Sequence, residues 1–116
     1  MPQQDSYQQK LRSADAALDL IRDGDFIVVP TGVGEPPALL GALSAQRRRF
    51  RDVKVGQILA VRPYEYFDAA TVEHVRHVAY FFGAASRPGG KEGWIDFIPS
   101  YFSEMPELIR RGMMPA

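Results

Sequence analysis

The sequence predicts an α/β domain built on a parallel or mixed sheet, with helices on its faces. Three observations carry that expectation. Helical and strand patterns alternate along the chain. The strand patterns are continuous apolar runs rather than in–out alternations. The first run breaks into glycines directly ahead of a helical pattern. With 116 residues, the chain has the length of one domain that buries roughly two-thirds of its unfolded surface.

Residues 1–12 read as a flexible N-terminal lead-in or a frayed first turn, and residues 13–116 as the domain. Ser13 suits an N-cap, and Asp15 sits near the positive end of the helix dipole. Ala14, Ala17, Leu18 and Ile21 follow at helical spacing, and Gly24 suits the position past the helix end. Residues 26–29, Phe-Ile-Val-Val, form a strand pattern covered on both faces. Pro36 and Pro37 fit a first helical turn, and Ala38, Leu39, Leu40, Ala42 and Leu43 give that helix an apolar face. Residues 46–51, QRRRFR, place cations at its negative end, the reading favoured over a phosphate site.

Residues 53–61 read as a second strand and 75–82 as a third, with Tyr80, Phe81 and Phe82 continuing it into the core. Residues 83–93 hold four glycines and Pro88 and read as loop. Residues 95–98 are a short fourth strand, and 104–111 a last helix with Gly112 beyond it. Right-handed crossovers connect the strands. So small a sheet has exposed edges, and the closing RRGMMPA has no stop signal, so something else is expected to complete the fold.

Fourteen basic and fourteen acidic residues give zero net charge. That balance argues against nucleic acid or an anionic membrane as partner and leaves the domain open to self-association, so a homo-oligomer is expected. The absence of cysteine excludes disulfides, thiolate metal sites and a cysteine nucleophile. No apolar run approaches the roughly 20 residues that span a bilayer, and the polar N-terminus is unlike a signal peptide, so the cytoplasm is the expected compartment.

Four stretches could carry chemistry. In TGVGEPP, Gly32 and Gly34 allow positive φ and close approach of a ligand where open α/β sheets bind one. The pattern is neither a dinucleotide fingerprint nor a P-loop, because Pro37 replaces the third glycine and no Gly-Lys-Ser/Thr follows. Glu35 would favour a helix start and repel a phosphate, so a tight turn ahead of an acidic helix start is the competing reading. His74 and His77 are too few for a metal and face opposite sides of a strand; partly exposed histidines at a sheet rim are expected. Ser103 suits an N-cap and Glu104 a first-turn acid, with no G-x-S-x-G to make a serine nucleophile.

In order along the chain, SADAALDLIRDGDFIVV, GEPPALLGAL, HVRHVAYFFGAASR and EGWIDFIPSYFSEMPELIRRG resemble the N-terminal part of the acetyl-CoA hydrolase/transferase family, from Ser13 to Pro115. That family includes 4-hydroxybutyrate, butyrate and itaconate CoA-transferases. The resemblance implies a three-layer α/β fold with a mostly parallel sheet and helices on both faces. The type is that of ribose-5-phosphate isomerase and CoA-transferases, here an incomplete half.

It also implies CoA transfer from an acyl-CoA to a small carboxylic acid through a glutamyl-CoA thioester, with the glutamate in a C-terminal half or second subunit. CoA is then a substrate, and no tightly bound cofactor or metal is expected. The resemblance assigns Gly32, Val33, Gly34, Glu35, Pro36, Ser103 and Glu104 to the substrate cleft. It assigns no catalytic residue: Glu35, Glu65, Glu92 and Glu104 do not stand at the nucleophile's motif. Two departures are visible: Pro30-Thr31 replaces a Gly-His pair, and SRPGGKEGWID carries glycines where relatives are more helical. The alternative reading is a non-catalytic module that binds a CoA ester or carboxylate.

Overall fold

Four parallel strands in the order β1-β2-β3-β4 organise this computed structural model, which describes residues 2–112. The strands are β1 Phe26–Val28, β2 Val53–Gln57, β3 Val75–Ala79 and β4 Asp96–Phe97. Residue 1, in the expected lead-in, and residues 113–115, at the end of the resemblance, lie outside the described residues. Helices α1 Pro2–Lys10, α2 Ala14–Ala17, α3 Pro37–Ala45, α4 Arg87–Glu92 and α5 Met105–Arg110 complete the framework.

A sheet whose parallel strands run in sequence order, joined by right-handed crossovers, receives every crossover on the same face. The register fixes which residues that face carries: Ile27 pairs with Val55 and Val55 with His77, one step from the Phe26, Lys54 and Arg76 row. Ile27, Val53, Val55 and Val75 accordingly pack with Leu18, Leu40, Leu43 and Phe50 in the main core. Val53, Val55 and Val75 are wholly buried, each such side chain contributing about 1.5–3 kcal/mol. On the opposite face Arg76 pairs with Asp96 at 2.9 Å, and the ring of Phe26 lies where a side chain on Gly56 would stand. The C-terminal segment returns here: Ile98 and Gly112 border a depression with Phe26 and Val78.

Local signals decide most helix ends. Ser13 caps α2 through Oγ, which accepts from Ala16 N at 3.1 Å. Arg47, just past α3, donates to the Ser44 carbonyl at 2.7 Å, where the dipole favours a cation. Residues 2–10, read as a lead-in, are helical as α1, yet residues 3–10 are nearly all exposed. Glutamines and lysine are adequate helix formers, and Tyr7 is the one large apolar side chain there to pack. No helix among the described residues is long and apolar enough to cross a membrane.

The loop expected at residues 83–93 is in part the helix α4. Its glycines serve packing. A Cβ on Gly89 would fall 2.5 Å from Ile95 Cδ1, and one on Gly90 would enter the Phe82 ring. Gly93, at φ +85°, ends the helix in the left-handed conformation. The second and third strands are shorter than expected, ending at Gln57 and Ala79 rather than residues 61 and 82. Phe81, expected in the core, is 58% exposed. His77, expected at the rim, is 1% exposed in the middle of β3.

Candidate functional site

The loops that follow the strands meet at the carboxyl edge of the sheet, where open α/β folds hold ligands. The first two are tied by a reciprocal pair: Thr31 Oγ1 donates to the Leu59 carbonyl and accepts from Leu59 N, both at 2.9 Å. Gly32 sits at φ +59° with open space where a Cβ would be, so its backbone conformation, not crowding, requires glycine. Gly32–Gly34 makes one 3₁₀ turn, with Val33 fully exposed at its tip.

Glu35 turns inward from this loop and is 7% exposed. Its carboxylate accepts from Tyr64 OH at 2.6 Å, Gln57 Nε2 at 2.7 Å and Val61 N at 3.4 Å. Gln57 Nε2 also donates to the Pro30 carbonyl at 3.2 Å. The expected acidic helix start is therefore not its arrangement: α3 opens at Pro37 behind Pro36, while Glu35 bridges a strand end and the next loop. Charge-assisted bonds to buried donors are the strong kind, and they fix both loops against each other.

Aromatic rings extend the polar cluster. Tyr66 stacks on Tyr64 at 5.7 Å, and the His77 ring lies 4.5 Å from Phe67. Burial drives the His77 imidazole down to about 4, the charge of Glu35 pulling weakly the other way. Neither of its ring nitrogens has a hydrogen-bond partner among the described residues. Burial, then Glu35, pushes the Tyr66 phenol up. Burial, then the hydrogen bond to Glu35, does the same to Tyr64.

Beside this cluster the rim carries an apolar pocket. Ile58, Leu59, Tyr80, Phe81, Phe102 and Met105 line a pocket of about 380 Å³, with Ser100 at its edge. Gly83 makes room for one wall, since a Cβ there would fall 2.6 Å from Leu59 Cδ1. Ser103 and Glu104 lie on the far side of this pocket, in the Phe102–Glu104 turn that leads into α5. Ser103 is not the cap of that helix. Glu104 closes the turn instead, accepting from Tyr101 N at 2.6 Å.

Of the residues read from the sequence as cleft-lining, 32–36 thus share one loop and Ser103 and Glu104 another. None of these seven residues lines the pocket itself. Its lining residue Leu59 is bonded to Thr31, next to the first loop, and its lining residues Phe102 and Met105 flank Ser103 and Glu104 in sequence. The remaining carboxylates are engaged elsewhere, Glu65 with Arg47 at 3.3 Å and Glu92 with Trp94 Nε1 at 2.8 Å. His74 Nδ1 lies 2.8 Å from the Phe50 carbonyl. No group of three metal-binding side chains forms among the described residues.

The sequence reading missed Gln57, Tyr64, Tyr66 and the pocket wall. Its available signals were a glutamine ending an apolar strand and two tyrosines in RPYEYF.

The family model for the acetyl-CoA hydrolase/transferase N-terminal domain matches residues 1–116. The chain is 36% identical over 104 residues to the succinyl-CoA:cyclohexane-1-carboxylate CoA transferase of Geobacter metallireducens, covering 90% of this chain and 24% of that protein. It is 29% identical over 115 residues to the 4-hydroxybutyrate coenzyme A transferase of Clostridium kluyveri, covering 99% of this chain and 27% of that protein. The chain thus spans about a quarter of the length of these relatives. Among solved structures, RipA from Yersinia pestis superposes with a TM-score of 0.80 at 22% identity, covering 97% of this chain and 29% of that one. The 4-hydroxybutyrate CoA-transferase from Porphyromonas gingivalis gives 0.58 at 24% identity, covering 97% and 24%. These likenesses support the fold. With the match along its full length, the chain belongs to the acetyl-CoA hydrolase/transferase family, as that family's N-terminal domain.

Proposed function

We propose that this chain is the N-terminal portion of a CoA-transferase or acetyl-CoA hydrolase that moves CoA between an acyl-CoA and a small carboxylic acid. The carrying observation is the family match along the whole chain, joined to an open pocket at the carboxyl rim of a parallel sheet. The relatives in Geobacter metallireducens and Clostridium kluyveri are themselves named as CoA transferases.

In the proposed reaction a glutamate from outside this chain attacks the thioester carbonyl, forming a mixed anhydride and releasing CoA thiolate. The thiolate then attacks the glutamyl carbonyl, expels the first carboxylate and leaves a glutamyl-CoA thioester. The second acid runs the same steps in reverse and leaves as its CoA thioester. One difficult exchange becomes a series of easier ones. Water in place of the second acid gives hydrolysis.

In this reading Gly32, Val33, Gly34 and Pro36, with Ser103 and Glu104, form this half's wall of the cleft. Glu35 acts from behind that wall, holding the loop through Gln57 and Tyr64. CoA enters as substrate, with no tightly bound cofactor. Residues 13–116 form the domain proper, and the cleft is completed by a C-terminal half or a second subunit, in a cytoplasmic homo-oligomer.

Acyl-CoA:carboxylate exchange tests the reading, assayed with this chain alone and with a full-length family polypeptide that carries it. Exchange is expected only in the second case. Robust turnover by the chain alone overturns the missing nucleophile. Failure of the full-length protein, with acetyl-CoA binding to this chain in calorimetry, replaces the enzyme by a binding module.

A further inference from the structure

The rim pocket differs from an ordinary polar active-site wall in one respect: every large side chain that lines it is apolar at the lining surface. Ile58, Leu59, Phe81, Phe102 and Met105 offer only carbon and sulfur. The hydroxyl of Tyr80 is buried away from solvent, close to Gly56, where it would lie 3.5 Å from an added Cβ. Ser100 Oγ is turned to Met105 Sδ at 3.8 Å. The backbone at the floor is also occupied, Phe81 N donating to the Ile58 carbonyl at 2.9 Å. A ligand group entering here meets no charge from these side chains, and the one hydroxyl at its edge, Ser100 Oγ, already donates to Met105 Sδ.

Size and position narrow the occupant. About 380 Å³ lies at the small end of ligand sites, which run from roughly 300 to 1,000 Å³. Leu59, which forms one wall, is bonded both ways to Thr31 at the foot of the glycine loop. The pocket is therefore in register with the loop proposed to pass the acyl group.

Resting on the CoA-transfer reading, we infer that this pocket holds the side chain of the acyl group and selects unsubstituted aliphatic or alicyclic monocarboxylic acids. Hydroxylated acids and dicarboxylates are disfavoured, because a hydroxyl or a second carboxylate would lose water here and find no cation and only the Ser100 hydroxyl at the edge in exchange. Phe81 and Phe102, both well exposed at 58% and 77%, are the specificity-determining side chains. Their exposure also means that changing them does not disturb the core.

The test compares butyrate, 4-hydroxybutyrate and succinate as CoA acceptors for the full-length polypeptide, before and after Phe81→Arg and Phe102→Ser. Butyrate is expected to exceed 4-hydroxybutyrate in kcat/KM by roughly 10- to 100-fold, the range an apolar pocket achieves against one hydroxyl, and succinate by more. Phe81→Arg should reverse the order of butyrate and succinate, since it supplies a cation for the second carboxylate. Phe102→Ser should narrow the gap between butyrate and 4-hydroxybutyrate without reversing it.

A wild-type preference for either polar acid overturns the inference. So do variants that lower all three acids alike, or that leave the ranking unchanged, while exchange persists. Loss of exchange with every acid in the unaltered protein is a different result: it removes the CoA-transfer reading, and the pocket's assignment falls with it.

Discussion

Two regions at the carboxyl edge of the sheet invert the usual placement of polar and apolar groups. Under the rim, Glu35, Gln57, Tyr64, Tyr66 and His77 are polar and buried. Over it, Val33, Phe81, Tyr101 and Phe102 are apolar and exposed. Buried polar groups are informative because each must be partnered or held neutral, and a grouped exposed apolar surface because water does not favour it. In the first region the solution is internal: three donors close on one carboxylate, and the histidine stays neutral among rings. In the second no such internal solution exists among the described residues, and the acyl side chain is the occupant proposed above. The inner cluster ties the two loops together, and the outer surface is the one proposed to select the acid.

The comparison breaks most clearly at Glu35. Glu35→Ala removes the acceptor for two buried donors and leaves a void, so a loss of roughly 3–4 kcal/mol is expected in urea unfolding. Glu35→Gln, which keeps one acceptor oxygen, should lose less than half of that. An alanine variant as stable as the parent would mean that the loops are held by packing alone.

Next in size is a pH effect centred on His77. Its folded value near 4 lies below the ordinary 6.5, so the unfolded chain binds the extra proton first as pH falls. Its contribution is fully present above about pH 6.5 and declines toward pH 4, by about 3 kcal/mol in all. His77→Phe should flatten that slope in unfolding measurements taken across the range. An unchanged slope would assign it to other groups.

Gly32 joins the two regions and should give a smaller effect. Gly32→Ala meets no neighbour, but a left-handed φ costs an L-residue about 1–2 kcal/mol. Thermal unfolding should fall accordingly. A neutral result would mean that the loop can relax to a negative φ.

Smallest of all is Phe102→Ser. At 77% exposure, its loss should change stability by less than about 0.5 kcal/mol, while acid preference shifts as described above. A large destabilisation would place Phe102 in the packing of the fold.

Much of the architecture was legible because it follows from local chemistry. Apolar runs marked the strands, although β2 and β3 are largely buried while Val28 of β1 is 44% exposed. Ser13 opened a helix that ends by Leu20, so that Gly24 serves the turn before β1 rather than the helix end. Pro36 and Pro37 opened another. The order of four quoted segments pointed to the family. Misreadings arose where distant residues decide the outcome. Gly89 and Gly90 looked like loop residues, because nothing local reveals that Ile95 and Phe82 occupy the space their side chains would fill. Phe81 looked like core and His77 like rim, because strand patterning marks alternation but not where the neighbouring strands leave the sheet.

The candidate site divides in the same way. Sequence alone determined that a glycine turn follows the first strand and that a carboxylate stands at position 35, since turn chemistry and helix-opening prolines are local. Only the tertiary structure decided that this carboxylate points inward. Its three donors lie 22 to 29 residues away along the chain and reach it only when parallel crossovers set the loops side by side. A buried charge is tolerated only where such donors converge, and that convergence is a property of the fold.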